Sequence, residues 1–356
     1  MKIKYISLSV EDLQLSRPYT IAFKTISSVE NGILRIHSED GRTGHGAFNP
    51  IFEVVGETLT QAVALFRTDE AEFLAGRDIR ELNQLCDEVQ QKYRQSPALR
   101  TAFEIALYDL FCQNLQVPLV RFLGRKIQSM PTSVTIGILG VEQTLEEARE
   151  YIARKFRILK VKLGKSIDED IERMLRLHEL CKDDVALIVD ANQGYDRAEL
   201  LRFKNLTAKC NIRLIEQPVK AGNEHLLAGL PDDLREKLVA DESLLSVKDA
   251  SALSATPLLF GYFNIKLMKC GGITEALKIA SVAESSGIRL MWGCNDESKI
   301  SITAALHVAF ACANTGYIDL DGSLDLKKDV VGGGFELKDG WMTISDKPGL
   351  GLETME

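Results

Sequence analysis

Eight charged residues sit where charge is least expected, at the C-terminal ends of short apolar runs. Lys160 and Lys162 close "ILKVK", Asp190 closes "VALIVD", Glu216 closes "IRLIE", Asp241 follows "KLVA", Lys266 follows "FNI", and Asp319 and Asp321 follow "YI". From Lys162 through Asp190, Glu216 and Asp241 to Lys266 the intervals are 28, 26, 25 and 25 residues. A strand, a helix and their two loops take roughly 30 residues, so one charge recurs per βα unit. Alternate residues of a strand share a face, so positions 160 and 162 project together. A single acid after an apolar run is ordinarily a helix cap or turn residue, and paired lysines suit a solvated edge strand. Three acids on three successive strands, with lysines on both sides, ask for more. Carboxylates converging in a dry site repel unless a cation lies among them.

Asp190, Glu216 and Asp241 form an oxygen-only donor set, which suits Mg²⁺ with Mn²⁺ as a substitute. The lysines would balance the remaining charge. A substrate carboxylate on the metal would hold its α-carbon between the Lys160 and Lys162 pair and Lys266. For a lysine to accept that proton near neutral pH, its pKa must fall from about 10.4 towards 7 or 8, and a neighbouring ammonium and a divalent ion both push that way. Lys160 is therefore expected to depress Lys162 and to hydrogen-bond the carboxylate, while Lys162 moves the proton.

The elements that must position these residues are eight strand candidates separated by helical segments: "SVTIGIL", "ILKVKLG", "VALIVDANQG", "IRLIEQP", "KLVADES", "FNIKLMKCGG", "IRLMWGCNDE" and "YIDLDG". Eight such units in a row predict a closed parallel α/β barrel with the charges at its C-terminal mouth; an open doubly wound sheet is the alternative. Residues 1 to about 50 alternate apolar and polar, with an Asp-Gly hairpin turn in "SEDGRTGHG". Helical spacing follows in "GETLTQAVALFR", "IRELNQLCDEVQQKYR" and "PALRTAFEIALYDLFCQNL", the last started by Pro97. The tail "GFELKDGWMTISDKPGLG" predicts a second hairpin around Asp339-Gly340 that rejoins the N-terminal sheet. The expected division is an α+β capping domain over 1–125, the barrel over 126–322, and a C-terminal segment over 323–356 returning to the capping domain.

With 356 residues, 45% of them hydrophobic, the chain can bury a large core. A net charge of -8 offers no basic stripe to a nucleic acid. No apolar run approaches the ~18 residues of a spanning helix, and "MKIKYISLSVEDLQL" reads as a strand rather than a signal peptide. The seven cysteines stand 18 or more residues apart, which excludes a C-x-x-C site and fits reduced thiols in a cytoplasm. The five histidines are scattered, with no H-E-x-x-H zinc motif.

"TAFEIALYDLFCQNLQVPLVRFLG", "KVK", "DANQG", "EQP", "ADES", "NIKLMKCGG" and "GCNDES" together resemble the muconate-lactonising subgroup of the enolase superfamily over essentially the whole chain. The resemblance implies a modified (β/α)7β TIM barrel with an α+β capping domain. It also implies Asp190, Glu216 and Asp241 as metal ligands, Lys162 and Lys266 as an acid/base pair on opposite faces of the α-carbon, and Lys160 as their electrostatic partner. Such sites use a lysine or histidine base with Mg²⁺ stabilising an ene-diolate. Within the subgroup "YIDLDG" resembles the Asp-x-Asp signature of dipeptide epimerases, where Asp319 and Asp321 would grip a dipeptide's α-ammonium. Thr135 resembles a substrate contact on the first strand. Lys24 matches a capping-loop position that carries arginine in glutamate-specific relatives, whereas Asp296 would discourage an acidic side chain. Ile21 and Phe23 favour small or hydrophobic residues. The expected activity is Mg²⁺-dependent epimerisation of the C-terminal residue of an L-Ala-Xaa dipeptide by a cytoplasmic isomerase, with a homo-oligomer expected by analogy. Cycloisomerisation, N-acylamino acid racemisation and o-succinylbenzoate synthesis are the alternatives on the same scaffold, and a non-catalytic metal-dependent binding protein is the alternative from another class.

Overall fold

The computed structural model describes residues 1–16, 19–21, 24–26, 29–69 and 71–355, with 19–21, 24–26, 68 and 69 as backbone alone. The alternating N-terminal segment forms an antiparallel sheet in which Glu30–Ser38 pairs with Ile3–Asp12 on one side and Thr43–Phe48 on the other. Helix Pro97–Leu115 lies against the third strand at Gly44 and Gly46, where an added Cβ would collide with the Ala106 and Ala102 carbonyls. Ser96 starts this helix by accepting a hydrogen bond from Leu99 N at 3.2 Å, and Pro97 occupies its first turn. Buried residues surround most of its circumference, as a helix enclosed between a sheet and a second layer requires.

The second layer is the barrel. Strands Val134–Ile136, Ile158–Lys162, Ala186–Asp190, Ile212–Glu216, Leu238–Ala240, Tyr262–Ile265, Arg289–Trp292 and Thr315–Ile318 run parallel in sequence order. A parallel bridge between Thr132 and Ile318, and a 3.1 Å bond from Ser133 N to Ile318 O, join the last strand to the first. Helices Val141–Ala153, Ile167–Cys181, Arg197–Leu206, Val247–Leu253, Ile273–Ser285 and Lys299–Ala311 cover it, while strand four is followed by the single turn Asp232–Arg235. Among the described residues no helix follows strand eight, so the architecture is (β/α)7β. The doubly wound alternative is excluded by the sequential strand order.

The tail hairpin forms as read, Phe335–Lys338 against Trp341–Ile344, with Asp339 and Gly340 at φ of 53° and 79°. Its partner differs from the expectation. Trp341–Ile344 pairs with Ser129–Pro131, at the entry to the barrel, instead of with the N-terminal sheet. Contact with the N-terminal segment is made elsewhere: Leu326 bridges Leu15, and Lys327 N donates to Gln14 O at 2.9 Å. Hairpin turn chemistry is local, but which strand receives the hairpin depends on which free edge the tertiary fold brings beside it. All seven cysteines are free thiols. Among the described residues no helix is long and apolar enough to cross a membrane.

Candidate functional site

Strand parity builds the site. Ile158, Ile188, Leu214, Val239, Tyr262 and Met291 form a small apolar cluster of their own inside the barrel, separate from the large core beneath the helices. Two residues further along each strand, on the same face, come Lys160, Asp190, Glu216, Asp241 and Asn264; another two bring Lys162 and Lys266. The apolar plug therefore carries a charged layer directly above it, at the C-terminal mouth. Asp190 stands opposite Lys162 on one neighbouring strand and opposite Glu216 on the other.

The paired lysines share one acceptor. Lys162 Nζ lies 2.7 Å, and Lys160 Nζ 3.3 Å, from Asp190 Oδ2. Lys160 is also 2.7 Å from Glu216 Oε2 and 2.7 Å from Asp319 Oδ2, with its side chain only 3% exposed. On the far side Lys266 Nζ donates to Asp241 Oδ2 at 2.9 Å, and Lys269 Nζ bonds Asp241 Oδ1 as well as the Asn264 carbonyl at 3.0 Å. Asn264 Nδ2 donates to Glu216 Oε1 at 2.7 Å. The row Asp190, Glu216, Asp241 is thus bracketed by Lys162 at one end and Lys266 at the other.

Burial and crowding set the electrostatics. Burial, then the adjoining Asp190 carboxylate, push Glu216 up to about 8 despite Lys160. Burial also raises Asp190 and Asp241, but Lys162 with Lys160, and Lys266 with Lys269, outweigh it and hold both below the usual carboxylate range. Glu242 is lifted to about 7 by burial and by Asp241. Two lysines of the layer are shifted by the acids around them. Burial pushes Lys266 down, but Asp241 and Glu216 more than reverse it, so its ammonium is held above the ordinary lysine range. Lys160 likewise is held well above, because Asp319, Glu216 and Asp190 overcome burial. Adjacency in sequence shows the repulsion between two lysines and hides the acids that arrive from other strands.

The donor set fits a hard divalent cation. Among the described residues Glu242 Oε2 and Asn192 Oδ1 are buried oxygens with no hydrogen-bond partner, next to Asp241 and two residues from Asp190, and Glu216 Oε2 is faced by the Lys160 ammonium at 2.7 Å. Among the described residues no three acid, imidazole or thiol groups are gathered closely enough to ligate one ion as they stand, since the lysine ammonium groups lie between the carboxylates.

Strand eight ends at Ile318, and both acids beyond it turn to the first strands. Asp319 accepts from Ser133 Oγ at 2.5 Å and from Lys160; Asp321 Oδ2 accepts from Thr135 N at 2.7 Å. Burial and the Asp319 charge raise Asp321 to about 7. Asp296 follows strand seven, and its carbonyl accepts from Asn49 Nδ2 at 2.7 Å and from Asn31 Nδ2 at 3.3 Å, fastening that loop to the capping sheet. Phe23 and the side chains of Ile21 and Lys24 lie outside the described residues.

Sequence reading missed Ser133, Asn264, Lys269 and Gln217. Parity could have found the first two, each two residues before a marked position. Gln217 sits in the left-handed region at φ 34°, and its amide oxygen accepts from Asp241 N at 2.8 Å while its amide nitrogen donates to Ser243 Oγ at 2.8 Å. Asn192 and Gln193 share that conformation. Such strain in three non-glycine residues at the strand ends marks backbone held in place by its surroundings.

The chain is similar to known proteins over nearly its whole length. Residues 143–356 match the enolase C-terminal domain-like family model, and residues 5–124 match the mandelate racemase / muconate lactonizing enzyme N-terminal domain model. A curated relative, the L-Lys-D/L-Arg epimerase of Methylococcus capsulatus, is 51% identical over 352 residues, covering 99% of each chain. The crystal structure of a dipeptide epimerase from that organism, complexed with Mg and the dipeptide L-Arg-D-Lys, superposes with a TM-score of 0.97 at 51% identity, covering 99% of this chain and 100% of the other. The hydrophobic dipeptide epimerase of Enterococcus faecalis is 33% identical, with 99% of each chain covered.

Proposed function

Because the chain belongs to the mandelate racemase / muconate lactonizing enzyme family of the enolase superfamily, we propose that it is a Mg²⁺-dependent dipeptide epimerase acting on dipeptides with cationic side chains. The observation that carries this reading is the buried row of three carboxylates with one lysine ammonium at each end. Asp190, Glu216 and Asp241 would hold the ion. When bound, it supplies charge to neutralise those carboxylates and Lewis-acid stabilisation of negative charge on a substrate carboxylate.

The remaining chemistry belongs to side chains. Lys162 and Lys266 approach the row from opposite ends, so a substrate α-carbon between them meets a proton acceptor on one face and a donor on the other. Removal on one face and return on the other inverts the centre. Lys160, fixed by three acids, supplies a stationary positive charge beside the reacting carboxylate, where charge grows in the transition state. Asp319 and Asp321 would receive a free α-ammonium, a reading supported by Ser133 Oγ and Thr135 N, which hold their carboxylates at the first strand. The plug of Ile158, Ile188, Leu214, Val239, Tyr262 and Met291 closes the floor to water.

The L-Ala-Xaa substrate with a small or hydrophobic Xaa gives way to cationic dipeptides. At 51% identity the relative named for Lys and Arg dipeptides is far nearer than the 33% identical relative named for hydrophobic ones. Asp296 follows strand seven at the mouth, and an acid there favours a cationic over an acidic side chain. The test is incubation with Mg²⁺ in D₂O of L-Lys-L-Arg, L-Arg-L-Lys, L-Ala-L-Val and L-Ala-L-Glu, reading deuterium gain at the C-terminal α-carbon by mass spectrometry. Preferential exchange in the Lys and Arg dipeptides, lost with EDTA, is the expected result. Faster exchange in L-Ala-L-Val would overturn the substrate class, and exchange in none would overturn the activity.

A further inference from the structure

The turn that follows Lys266 is gripped from the capping domain. Leu267–Cys270 is a single helical turn, and Gly271 and Gly272 end it at φ of 86° and 121° before helix Ile273–Ser285 begins. The Leu267 carbonyl accepts from Gly271 N at 2.9 Å and Gly272 N at 3.2 Å, and the Thr101 hydroxyl of helix Pro97–Leu115 lies 2.7 Å from it. Three residues along the same face of that helix, Glu104 Oε2 accepts from Thr274 N at 2.7 Å. Gly272, the residue at the cap position, has no side chain with which to do this, so Glu104 caps the helix from another domain. Gln90 completes the clamp, donating to Glu104 Oε1 at 2.6 Å and to the Gly271 carbonyl at 3.0 Å.

Both glycines are where the two layers touch. A Cβ on Gly271 would collide with the Arg100 guanidinium, and one on Gly272 with the Glu104 carboxylate. Thr101 and Glu104 are fully buried, and the Thr101 hydroxyl has the Pro97 carbonyl of its own helix at 2.9 Å as a second acceptor, farther than the Leu267 carbonyl. On its barrel side the same turn is tied down by Lys269, whose Nζ also reaches the Asp241 carbonyl at 2.6 Å. Residues 266–274 are therefore held at the Leu267 carbonyl, the Gly271 carbonyl and the Thr274 amide, and the Lys266 side chain emerges from the start of that clamped segment.

We propose that Thr101 and Glu104 are positioning residues for Lys266: the capping domain sets the orientation of one of the two proton-transfer lysines through the Leu267–Gly272 turn and leaves the other alone. This rests on the reading of Lys162 and Lys266 as the acid/base pair. Among the described residues no comparable clamp reaches Lys162, whose strand continues into a loop held by Asp170 within the barrel, with Gly164 N donating to Asp170 Oδ2 at 2.8 Å.

The asymmetry gives the test. In D₂O with Mg²⁺, single-turnover α-proton exchange is measured separately from L-Lys-L-Arg and L-Lys-D-Arg, with Lys162→Ala and Lys266→Ala assigning each epimer to its lysine. Thr101→Val keeps the side-chain shape and removes the hydroxyl. It should slow exchange through Lys266 on the order of 10- to 100-fold, the scale of a small misplacement of a reacting group, and leave exchange through Lys162 within about twofold. Thr101→Ser should restore it. Glu104→Met removes the acceptor of both Thr274 N and Gln90 Nε2 and should behave like Thr101→Val; cooperative unfolding of each variant excludes collapse of the fold. Equal slowing of both epimers, or of neither, would overturn the positioning role while leaving the epimerase reading intact. Absence of exchange in the wild-type protein would overturn both.

Discussion

His307 should make this protein acid-sensitive by an amount that one substitution removes. It lies on helix Lys299–Ala311, fully buried, and its Nδ1 accepts from Val120 N at 2.8 Å. Val120 is in the first turn of the short helix Leu119–Leu123, whose cap residue, Pro118, offers no side-chain acceptor. The imidazole therefore caps that helix across an inter-element contact, and it must be neutral with Nδ1 unprotonated to do so. Burial pushes its pKa down to about 3, with the Leu350 backbone opposing and Arg125 adding. In the unfolded chain the same group titrates near 6.5. Between those values the unfolded state binds more protons, so stability is intact above 6.5 and is lost as pH falls towards 3.

The slope is about 1.36 kcal/mol per pH unit, so lowering pH from 7.5 to 4.5 should cost about 2.7 kcal/mol through this residue alone. Other groups titrate in the same range, so the comparison must be between wild type and His307→Asn, in which the Asn oxygen can replace Nδ1 as acceptor. Urea unfolding at both pH values supplies the four free energies. The variant should be less stable at pH 7.5, by about 1 to 2 kcal/mol for an imperfect fit and a less ideal hydrogen bond, yet lose about 2.7 kcal/mol less than wild type on acidification. Equal losses in the two proteins would refute the reasoning, because they would mean that His307 is protonated in the folded state as readily as in the unfolded one.

Three further outcomes are expected. Lys266→Ala should lower kcat on Lys and Arg dipeptides by about 10²- to 10⁴-fold, while circular dichroism remains that of the wild type. Asp321→Asn should lower kcat/KM about 10- to 100-fold for a dipeptide with a free α-ammonium, the scale of one charged hydrogen bond, and should leave turnover of an N-acylated analogue nearly unchanged; an equal loss on both would remove the ammonium assignment. Adding Mg²⁺ at about 100 times its Kd should stabilise the protein against urea by about 2.7 kcal/mol, an increment that Asp241→Asn should abolish.

Much of this was written in short-range periodicities. Intervals of 25 to 28 residues between charges, with a period of two within each strand, are enough to bring Lys162, Asp190, Glu216, Asp241 and Lys266 to the C-terminal mouth of a parallel barrel, because each βα unit repeats the same rise and return. Ser96-Pro97 marks the start of the capping helix just as locally. Other features depended on chain closure. Lys160 meets Asp319 across 159 residues of sequence, and Thr101 meets Leu267 across 166. No local pattern encodes such encounters, so the direction in which Lys266 and Lys160 are shifted, the roles of Lys269 and Gln217, and the strand that receives the tail hairpin could only be read from the folded molecule. The sequence determined which residues face the mouth; the tertiary structure decided which charges neutralise one another there, because Coulomb interactions in a buried layer depend on distance in space and on the water excluded by every neighbouring strand.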